Sequence, residues 1–216
     1  MRENKETQAQ HYVAEIYASE DSLLGEIKDF ALKDDFPIHI RPEEGRLIQV
    51  LMKSIRASNV LEIGTHFGYS SLWLSRALPE NGRLYTVEHD SKRAEYAQSF
   101  INKSEVSDKI ILINEDAKKA LESFETEFFD FIFIDGDKPS YNFYLDWADT
   151  HLRSGGILVA DNTFLSGAVY TDGSVGRVRK TTLESMKAFN LSLARNDSYT
   201  SVIIPTSEGL TVALKK

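Results

Sequence analysis

The 216-residue sequence contains no cysteine, which excludes disulfide bonds and thiol catalysis. It also lacks an excess of positive charge, since 25 Lys and Arg stand against 33 Asp and Glu, for a net charge of −8. Nucleic-acid binding draws mainly on contacts between basic side chains and phosphates, so this balance argues against a nucleic-acid partner. The one compact basic group, Arg177, Arg179 and Lys180, is typical of a solvated helix start, with phosphate recognition as the less favoured alternative.

Long apolar runs are absent as well. No apolar stretch approaches the roughly 18 residues of a membrane span, and the first 20 residues are too polar for the core of a signal peptide. We therefore expect a soluble, cytoplasmic protein without a membrane partner. A chain of this length fits one domain and buries roughly 70% of the surface that its unfolded form exposes. We predict a single domain over residues 1–216, in which residues 1–36 form a helical N-terminal arm.

Hydrophobic periodicity alternates between helical and strand patterns. Apolar residues at helical spacing predict helices in the arm, with a break around 19–21, and another helix after Pro42. Short apolar runs predict five strands, at 59–63, 83–87, 109–113, 129–134 and 156–160. Helical segments are predicted between them at 70–78, 92–103, 118–122 and 141–152. This alternation predicts a doubly wound α/β fold with a parallel sheet.

The last third of the chain changes this pattern. A helix is predicted from 179 to about 195, followed by two β-rich runs at 199–205 and 210–214. A short Ser- and Gly-containing turn separates the two runs, which is typical of an antiparallel hairpin. We expect this hairpin to close one edge of the sheet.

The first predicted strand leads into a turn with two glycines, Gly64 and Gly68, in the sequence LEIGTHFGYS (61–70). The junction between a strand and the next helix is where an α/β sheet binds its cofactor. The GxxxG spacing departs from the GxGxxG of dinucleotide-binding proteins, and the turn lacks the GK[ST] of a P-loop. Packing of the helix on the sheet would explain either glycine, so the turn is a weak signal by itself.

Acidic residues at the next two strand ends strengthen this signal. Glu88 ends the second predicted strand, where a carboxylate can accept hydrogen bonds from two ribose hydroxyls and would repel a 2′-phosphate. The run NEDA (114–117) follows the third strand and is placed to hold an adenine edge. Adenosine recognition without a pyrophosphate turn is typical of S-adenosylmethionine.

Two further apolar runs stop abruptly on oxygen-bearing side chains. DFIFIDGDK (130–138) reaches Asp135, and GGILVADN (155–162) ends on Asp161 and Asn162. If the two runs are parallel neighbours, these three side chains converge at one edge of the sheet. Carboxylate and amide oxygens, without Cys and without His at ligand spacing, suit Mg²⁺ or Ca²⁺ rather than zinc or copper. Because Asp also favours turns and helix N-caps, a purely structural role is the open alternative.

Taken in order, the motifs LEIGTHFGYS, LYTVEHD, EDA, DFIFIDGDKPSY and GGILVADNTFLSGAV closely resemble those of the cation-dependent O-methyltransferases. This group contains caffeoyl-CoA O-methyltransferase and catechol O-methyltransferase, and the resemblance runs from about residue 38 to the C-terminus. It implies a Rossmann-like, seven-stranded, mostly parallel class I methyltransferase sheet with helices on both faces and an antiparallel C-terminal hairpin.

The resemblance also implies roles for individual residues. Asp135, Asp161 and Asn162 would hold the divalent cation, with Mg²⁺ favoured over Ca²⁺ and Mn²⁺. Lys138 falls on the position of the general base, although the residue pattern alone would predict a solvated loop lysine. The implied cofactor-binding residues are Glu44, Glu62, Gly64 and Ser70 at the methionine end, Glu88 at the ribose, Asp116 and Ala117 at the adenine, and Asp135.

The expected function is methylation of one hydroxyl of a catechol-type phenolic small molecule, or of its CoA ester, by S-adenosylmethionine. The chain departs from some plant relatives on the acceptor side, where Ile40 replaces a metal-assisting Thr and Leu165 replaces a substrate-stacking Trp. The acceptor therefore cannot be copied from them. An NAD-dependent oxidoreductase and a non-catalytic cofactor-binding protein are the alternatives. The helical arm suggests a homodimer.

Overall fold

A computed structural model describes residues 7–33, 40–124, 128–171 and 178–216. The strands are β1 (Asn59–Ile63), β2 (Arg83–Glu88), β3 (Ile110–Asn114), β4 (Phe129–Ile134), β5 (Leu152–Ala160), β6 (Tyr199–Ile204) and β7 (Leu210–Lys215). The α-helices are α1 (Gln8–Tyr17), α2 (Ser22–Lys33), α3 (Pro42–Ser54), α4 (Tyr69–Ser75), α5 (Ser91–Ile101), α6 (Ala117–Glu122), α7 (Tyr141–His151) and α8 (Lys180–Ala194). Single 3₁₀ turns occur at Ser107–Lys109 and Lys138–Ser140.

The strands form one seven-stranded sheet in the order β3-β2-β1-β4-β5-β7-β6. The pairs β2–β3, β1–β4 and β4–β5 are parallel, whereas β7 is antiparallel to both β5 and β6. The predicted doubly wound α/β fold and its C-terminal hairpin are confirmed. By its internal contacts the chain divides into two compact units, one with residues up to Ser58 and Thr65–Ala120, the other with Asn59–Gly64 and Leu121–Lys216.

The core of the second unit consists of strands that are buried on both faces. In β4 the neighbouring residues Ile132 and Phe133, which point to opposite faces of the sheet, are both 0% exposed, as expected for a parallel strand covered on both sides. Helices α7 and α8 pack together, and the rings of Tyr141 and Phe189 meet edge to face with centroids 5.3 Å apart. The Tyr141 hydroxyl in turn contacts the carbonyls of Ile134 and Asp161, at the ends of β4 and β5.

In the first unit, an aromatic cluster joins the N-terminal arm to the turn after β1. Phe30 of α2 lies 5.1 Å from Phe67, 4.6 Å from Tyr96 and 5.5 Å from Phe100, measured between ring centroids. The predicted break in the arm is also present, because the Asp21 carboxylate accepts the Leu24 N–H at the start of α2. The end of the arm at residue 36 and Arg177 of the basic group lie outside the described residues.

Two element boundaries differ from the sequence prediction by three residues or more. Helix α4 ends at Ser75 rather than near residue 78, and β5 begins at Leu152, directly after α7, rather than at Gly156. The early part of β5 contains a register irregularity opposite β4, and Gly155 there has a φ of 73°, which only glycine adopts readily. Among the described residues, no helix is long and apolar enough to cross a membrane.

Candidate active site

The carboxyl ends of β4 and β5 bring the predicted cation ligands to one edge. Ile134 pairs with Ala160 at the ends of the two parallel strands, and the next residues are Asp135 and Asp161. The Asp161 N–H donates to the Ile134 carbonyl at 3.0 Å, which ties the two ends together. The prediction that these strands are parallel neighbours is therefore confirmed.

Asp161 and Asn162 are held tightly at this edge. Asp161 is fully buried, and Asn162 is 9% exposed with a left-handed φ of 58°. The Asp161 carboxylate accepts the backbone N–H of Asn162 at 2.7 Å and its side-chain amide at 3.0 Å. The Asn162 amide nitrogen is thereby engaged, so its oxygen is the atom suited to a cation.

The chemistry of this donor set fits a hard cation. Two carboxylates and one amide oxygen are the ligands that Mg²⁺ and Ca²⁺ prefer. The set contains only two acidic side chains, and nowhere in the described parts of the chain do three or more His, Cys, Asp or Glu side chains group so as to hold a metal ion. The amide of Asn162 would have to complete the set.

Lys138 stands beside this donor set. Its Nζ lies 2.8 Å from Asp135 Oδ1 and 2.7 Å from the Tyr141 hydroxyl oxygen, and its side chain is 20% exposed. The 3₁₀ turn Lys138–Ser140 sets this geometry by directing the side chain back toward β4. Lys138 is therefore an anchored side chain and not the solvated loop lysine that the residue pattern alone predicted.

Tyr141 is a component of the site that the sequence analysis missed. It is fully buried, and its hydroxyl donates to the Asp161 carbonyl at 2.8 Å while it accepts from Lys138. Burial, together with the charges of Asp135, Asp161 and Asp137, raises the Tyr141 pKa well above its usual value near 10. The hydroxyl therefore stays protonated. The available signal was the spacing of Lys138 and Tyr141 in DGDKPSY, since residues three apart face the same side of a helical turn.

Gly64 allows β1 to meet the end of β4. Its φ is 106°, and a Cβ at this position would lie 2.6 Å from the Asp135 carbonyl oxygen, so only glycine fits here. The Asp135 N–H in turn donates to the Ile63 carbonyl oxygen at 2.9 Å. Two positions earlier, Glu62 is fully buried within β1.

In the first unit, Glu88 is oriented by backbone donors at the end of β2. Its Oε2 accepts the His66 N–H at 2.8 Å, its Oε1 accepts the Asp90 N–H at 2.9 Å, and the residue is 4% exposed. His66 has a left-handed φ of 52°, which aims its N–H at the carboxylate. Each carboxylate oxygen can accept more than one hydrogen bond, so this arrangement retains capacity for a ligand's hydroxyls.

Glu44 in α3 presents a buried oxygen without a partner. Its Oε2 accepts the Arg41 N–H at 2.8 Å in a capping arrangement, and the residue is 2% exposed. Its Oε1 is buried and has no hydrogen-bond partner among the described residues. An unsatisfied buried carboxylate oxygen is costly, which indicates a position for a cationic or hydroxylated ligand group.

The remaining candidates have ordinary structural roles in the described geometry. Ser70 is the second residue of α4 and is 8% exposed. The exposed Asp116 caps α6 by accepting the N–H groups of Lys118 at 3.0 Å and Lys119 at 3.4 Å, and Ala117 begins that helix. The second unit thus contains Glu62, Gly64, Asp135, Lys138, Asp161 and Asn162, and the first contains Glu44, Ser70, Glu88, Asp116 and Ala117.

The sequence and the fold of the chain match those of known methyltransferases. The profile of the O-methyltransferase family matches residues 14–216. A catechol O-methyltransferase from Niastella koreensis is 34% identical over 198 residues, which cover 90% of this chain and 88% of the relative. The chain therefore belongs to the O-methyltransferase family.

Two solved structures support the same conclusion. An O-methyltransferase from Bacillus cereus, in complex with SAH, has a TM-score of 0.87 and 30% identity, covering 97% of this chain and 98% of that one. TomG from Streptomyces achromogenes is an O-methyltransferase involved in tomaymycin synthesis and was solved with SAM. It has a TM-score of 0.88 and 30% identity, and the match covers 100% of this chain and 99% of TomG. The chain is a SAM-dependent O-methyltransferase of the catechol and caffeoyl-CoA type, and the expected class of enzyme is confirmed.

Proposed function

We propose that this enzyme methylates one hydroxyl of a catechol-type small molecule, or of its CoA ester, with the help of a divalent cation, Mg²⁺ foremost. The observation that carries the proposal is the convergence of Asp135, Asp161 and Asn162 at the ends of two parallel strands, with Lys138 Nζ 2.8 Å from Asp135. The catechol O-methyltransferase named among the relatives supports the same class of acceptor.

The chemistry requires an activated phenol. A phenol with a pKa near 10 is roughly 0.1% ionised at pH 7, so the protein must assist the loss of its proton. Asp135, Asp161 and Asn162 would hold a cation, which when bound supplies a Lewis acid that lowers the phenol pKa and chelates both oxygens of a catechol. Alignment of the reacting groups would add much of the remaining rate enhancement.

Lys138 is the residue we assign to proton removal. Asp135 and Tyr141 fix its Nζ at the edge where the cation ligands converge, so the amine does not have to be ordered during the reaction. Its side chain is only partly exposed, which favours transfer to a defined atom over exchange with bulk water. In its neutral form the amine would take the proton of the acceptor hydroxyl.

Residues of the first unit are suited to S-adenosylmethionine. The unpartnered Oε1 of Glu44 is a fitting acceptor for the ammonium group of the methionine part. Glu88, already oriented by two backbone N–H groups, is suited to the two ribose hydroxyls. The full set that we propose to bind the cofactor is Glu44, Glu62, Gly64, Ser70, Glu88, Asp116, Ala117 and Asp135.

A methyl-transfer assay tests the proposed function. Catechols, hydroxycinnamates and their CoA esters would be compared after chelation, with and without added Mg²⁺. We expect methylated catechol products only when the metal is restored. If a preparation shown to be free of metal turns over catechols as fast as the preparation with added Mg²⁺, the metal-dependent mechanism is rejected.

We further propose a single-domain homodimer. Helix α1 leaves large apolar side chains exposed, with Tyr12 at 62%, Ile16 at 56% and Tyr17 at 65%, and a second copy is the partner we assign to this face. Light scattering should give twice the chain mass for the wild type and a single chain mass for the Ile16→Ser, Tyr17→Ser double variant. A monomeric wild type would reject this proposal.

A further inference from the structure

The segment that follows the candidate cation ligands has an unusual backbone. Leu165, Ser166 and Gly167 have consecutive φ values of 49°, 52° and 87°, so they form a short left-handed turn. This conformation is unfavourable for Leu and Ser and persists only when the surroundings impose it. We call residues 163–171 the wall segment, because it carries Phe164 and Leu165, two and three positions after Asn162.

The connection between β6 and β7 imposes this conformation. The N–H groups of Thr163 and Phe164 donate to the carbonyls of Gly209 at 3.0 Å and Glu208 at 2.8 Å. The Glu208 carboxylate accepts the Ser166 N–H at 3.0 Å and the Ser166 hydroxyl at 3.2 Å. Glu208 is 7% exposed whereas Ser166 is exposed, so these charge-assisted bonds are partly buried.

The hydrogen bonds from residues 163, 164 and 166 to Glu208 and Gly209 together form what we call the clamp. A close backbone contact adds to it. Gly209 has a φ of 78°, and a Cβ there would lie 2.6 Å from the Phe164 ring, so the ring packs directly on the glycine backbone. The Tyr170 ring also meets the Phe164 ring edge to face, with centroids 5.3 Å apart. Phe164 is therefore held by contacts with two residues.

The left-handed turn is also coupled to the candidate cation site. The Leu165 N–H donates to the Asn162 carbonyl at 3.0 Å, and Asn162 itself has a positive φ. A change at Ser166 would thus be felt at the residue next to it, Leu165, and through this bond at Asn162. Leu165 is 8% exposed, which leaves it little freedom to move without displacing its neighbours.

We propose that Glu208 is a positioning residue for the methyl acceptor. By holding Ser166, it keeps Phe164 and Leu165 in place as a wall beside the acceptor ring, and so influences which of two hydroxyls is methylated. This inference rests on the proposed function, because it places a catechol next to Asp161 and Asn162. Glu208 lies more than 40 positions from Ser166 in the chain and acts through it, without touching the acceptor.

Hydrogen exchange of the protein alone tests the clamp. In Glu208→Ala, the amides around Ser166 should exchange about tenfold faster or more, because a charge-assisted hydrogen bond is lost. Glu208→Gln keeps one acceptor oxygen and should show a smaller increase. Glu184→Ala, which removes an exposed carboxylate from α8, is the matched control and should leave this segment unchanged. Unchanged exchange in Glu208→Ala would overturn the clamp.

Product analysis with caffeic acid and Mg²⁺ tests the role in positioning. The ratio of meta to para products should shift by about threefold or more in Glu208→Ala and less in Glu208→Gln, with a raised acceptor KM and unchanged affinity for S-adenosylhomocysteine. An unchanged ratio and KM, despite faster exchange, would overturn the positioning role. If Glu208→Ala does not fold, Glu208→Gln replaces it with smaller expected shifts, and an unchanged ratio and KM in that variant would overturn the positioning role. A wild type that methylates no catechol would reject the proposed function, and the exchange data would then report on the clamp alone.

Discussion

Lys138 and Asp135 form an ion pair at the end of β4, with 2.8 Å between Nζ and Oδ1, and the Tyr141 hydroxyl is the second acceptor of the same ammonium group at 2.7 Å. The proposed base, a proposed cation ligand and a backbone-anchored tyrosine thus form one connected group. Substitution of each member should therefore give a distinct result.

Replacement of Lys138 tests the proposed base. Lys138→Met keeps the length of the side chain but removes the amine, so turnover should fall by about 10²-fold or more, the usual size of a general-base contribution. Affinity for S-adenosylhomocysteine, measured by calorimetry, should remain nearly unchanged. Lys180→Met, at a lysine that is 87% exposed on α8, is the control and should behave as wild type. Wild-type turnover in Lys138→Met at saturating Mg²⁺ would mean that another group takes the proton.

The variant Tyr141→Phe distinguishes two contributions of Tyr141, the hydrogen bonds of its hydroxyl and the packing of its ring. The ring contact with Phe189 is retained, but the acceptor for Lys138 and the donor to the Asp161 carbonyl are lost. We expect kcat to fall by about threefold to tenfold and the free energy of unfolding to fall by about 1 kcal/mol, the net value of a buried hydrogen bond. A variant with unchanged kcat and lowered stability would assign the hydroxyl to structure alone.

The same substitution should alter the stability at alkaline pH. The folded protein raises the pKa of Tyr141 above the unfolded value near 10, so the folded state retains a proton that the unfolded state releases above that pH. Ionisation of Tyr141 therefore adds no pH dependence to the free energy of unfolding below about pH 10, and it lowers that free energy as pH rises further. Denaturant unfolding at pH 9, 10 and 11 should show a smaller loss in Tyr141→Phe than in the wild type.

Removal of the cation should abolish methyl transfer. After chelation, activity should return on addition of Mg²⁺ or Mn²⁺ to the wild type but not to Asp161→Ala, which lacks one proposed ligand. Metal titration of the two proteins by calorimetry supplies a readout that does not depend on turnover. Full activity in excess chelator would reject the cation site at β4 and β5.

Glu88→Ala should weaken cofactor binding. Without the carboxylate, two ribose hydroxyls would lose charged acceptors, so we expect a loss of about 1.5–3 kcal/mol, or roughly tenfold to a hundredfold in affinity for S-adenosylhomocysteine. Glu88 also binds the N–H groups of His66 and Asp90, so the melting temperature should be recorded alongside. Glu184→Ala, at a carboxylate that is 62% exposed on α8, is the control. Unchanged affinity in Glu88→Ala would place the ribose elsewhere.

Local sequence patterns predicted much of this fold, because the periodicity of neighbouring residues distinguishes a helix from a strand. The apolar runs that end at Asp135 and Asp161 located β4 and β5, and the Ser- and Gly-containing turn located the β6–β7 hairpin. The early start of β5 escaped prediction because it depends on pairing with β4 and on the positive φ of Gly155. Tertiary pairing decides such boundaries, and the local sequence does not encode it.

The site was predictable only in the same local sense. Glu88 and the cation ligands were indicated because each lies at or next to a strand end, whereas Lys138 was indicated only by the family resemblance. The spacing of Lys138 and Tyr141 was the one local signal for Tyr141. Its contact with the Asp161 backbone and the contact of Glu208 with the Ser166 backbone join residues 20 and 42 positions apart, which no spacing rule reveals. Residues that support a site from elsewhere in the chain are therefore visible only in the folded structure.

The acceptor wall leads to the last prediction. Leu165 and Phe164 offer aliphatic and aromatic contacts but no Trp for stacking, so the orientation of the acceptor would rest mainly on chelation of its two oxygens. We expect turnover of several catechol acids or esters, with both meta and para products, and none of monophenols, which cannot chelate. Leu165→Trp should shift the mixture of meta and para products toward a single isomer. Leu191→Trp, at a leucine that is 49% exposed on α8, should leave the mixture unchanged. Chromatography of the methylated products distinguishes these outcomes. Equal turnover of a monophenol and its matching catechol, at the same Mg²⁺ concentration, would contradict the chelation mechanism itself, because a single oxygen would then suffice for activation.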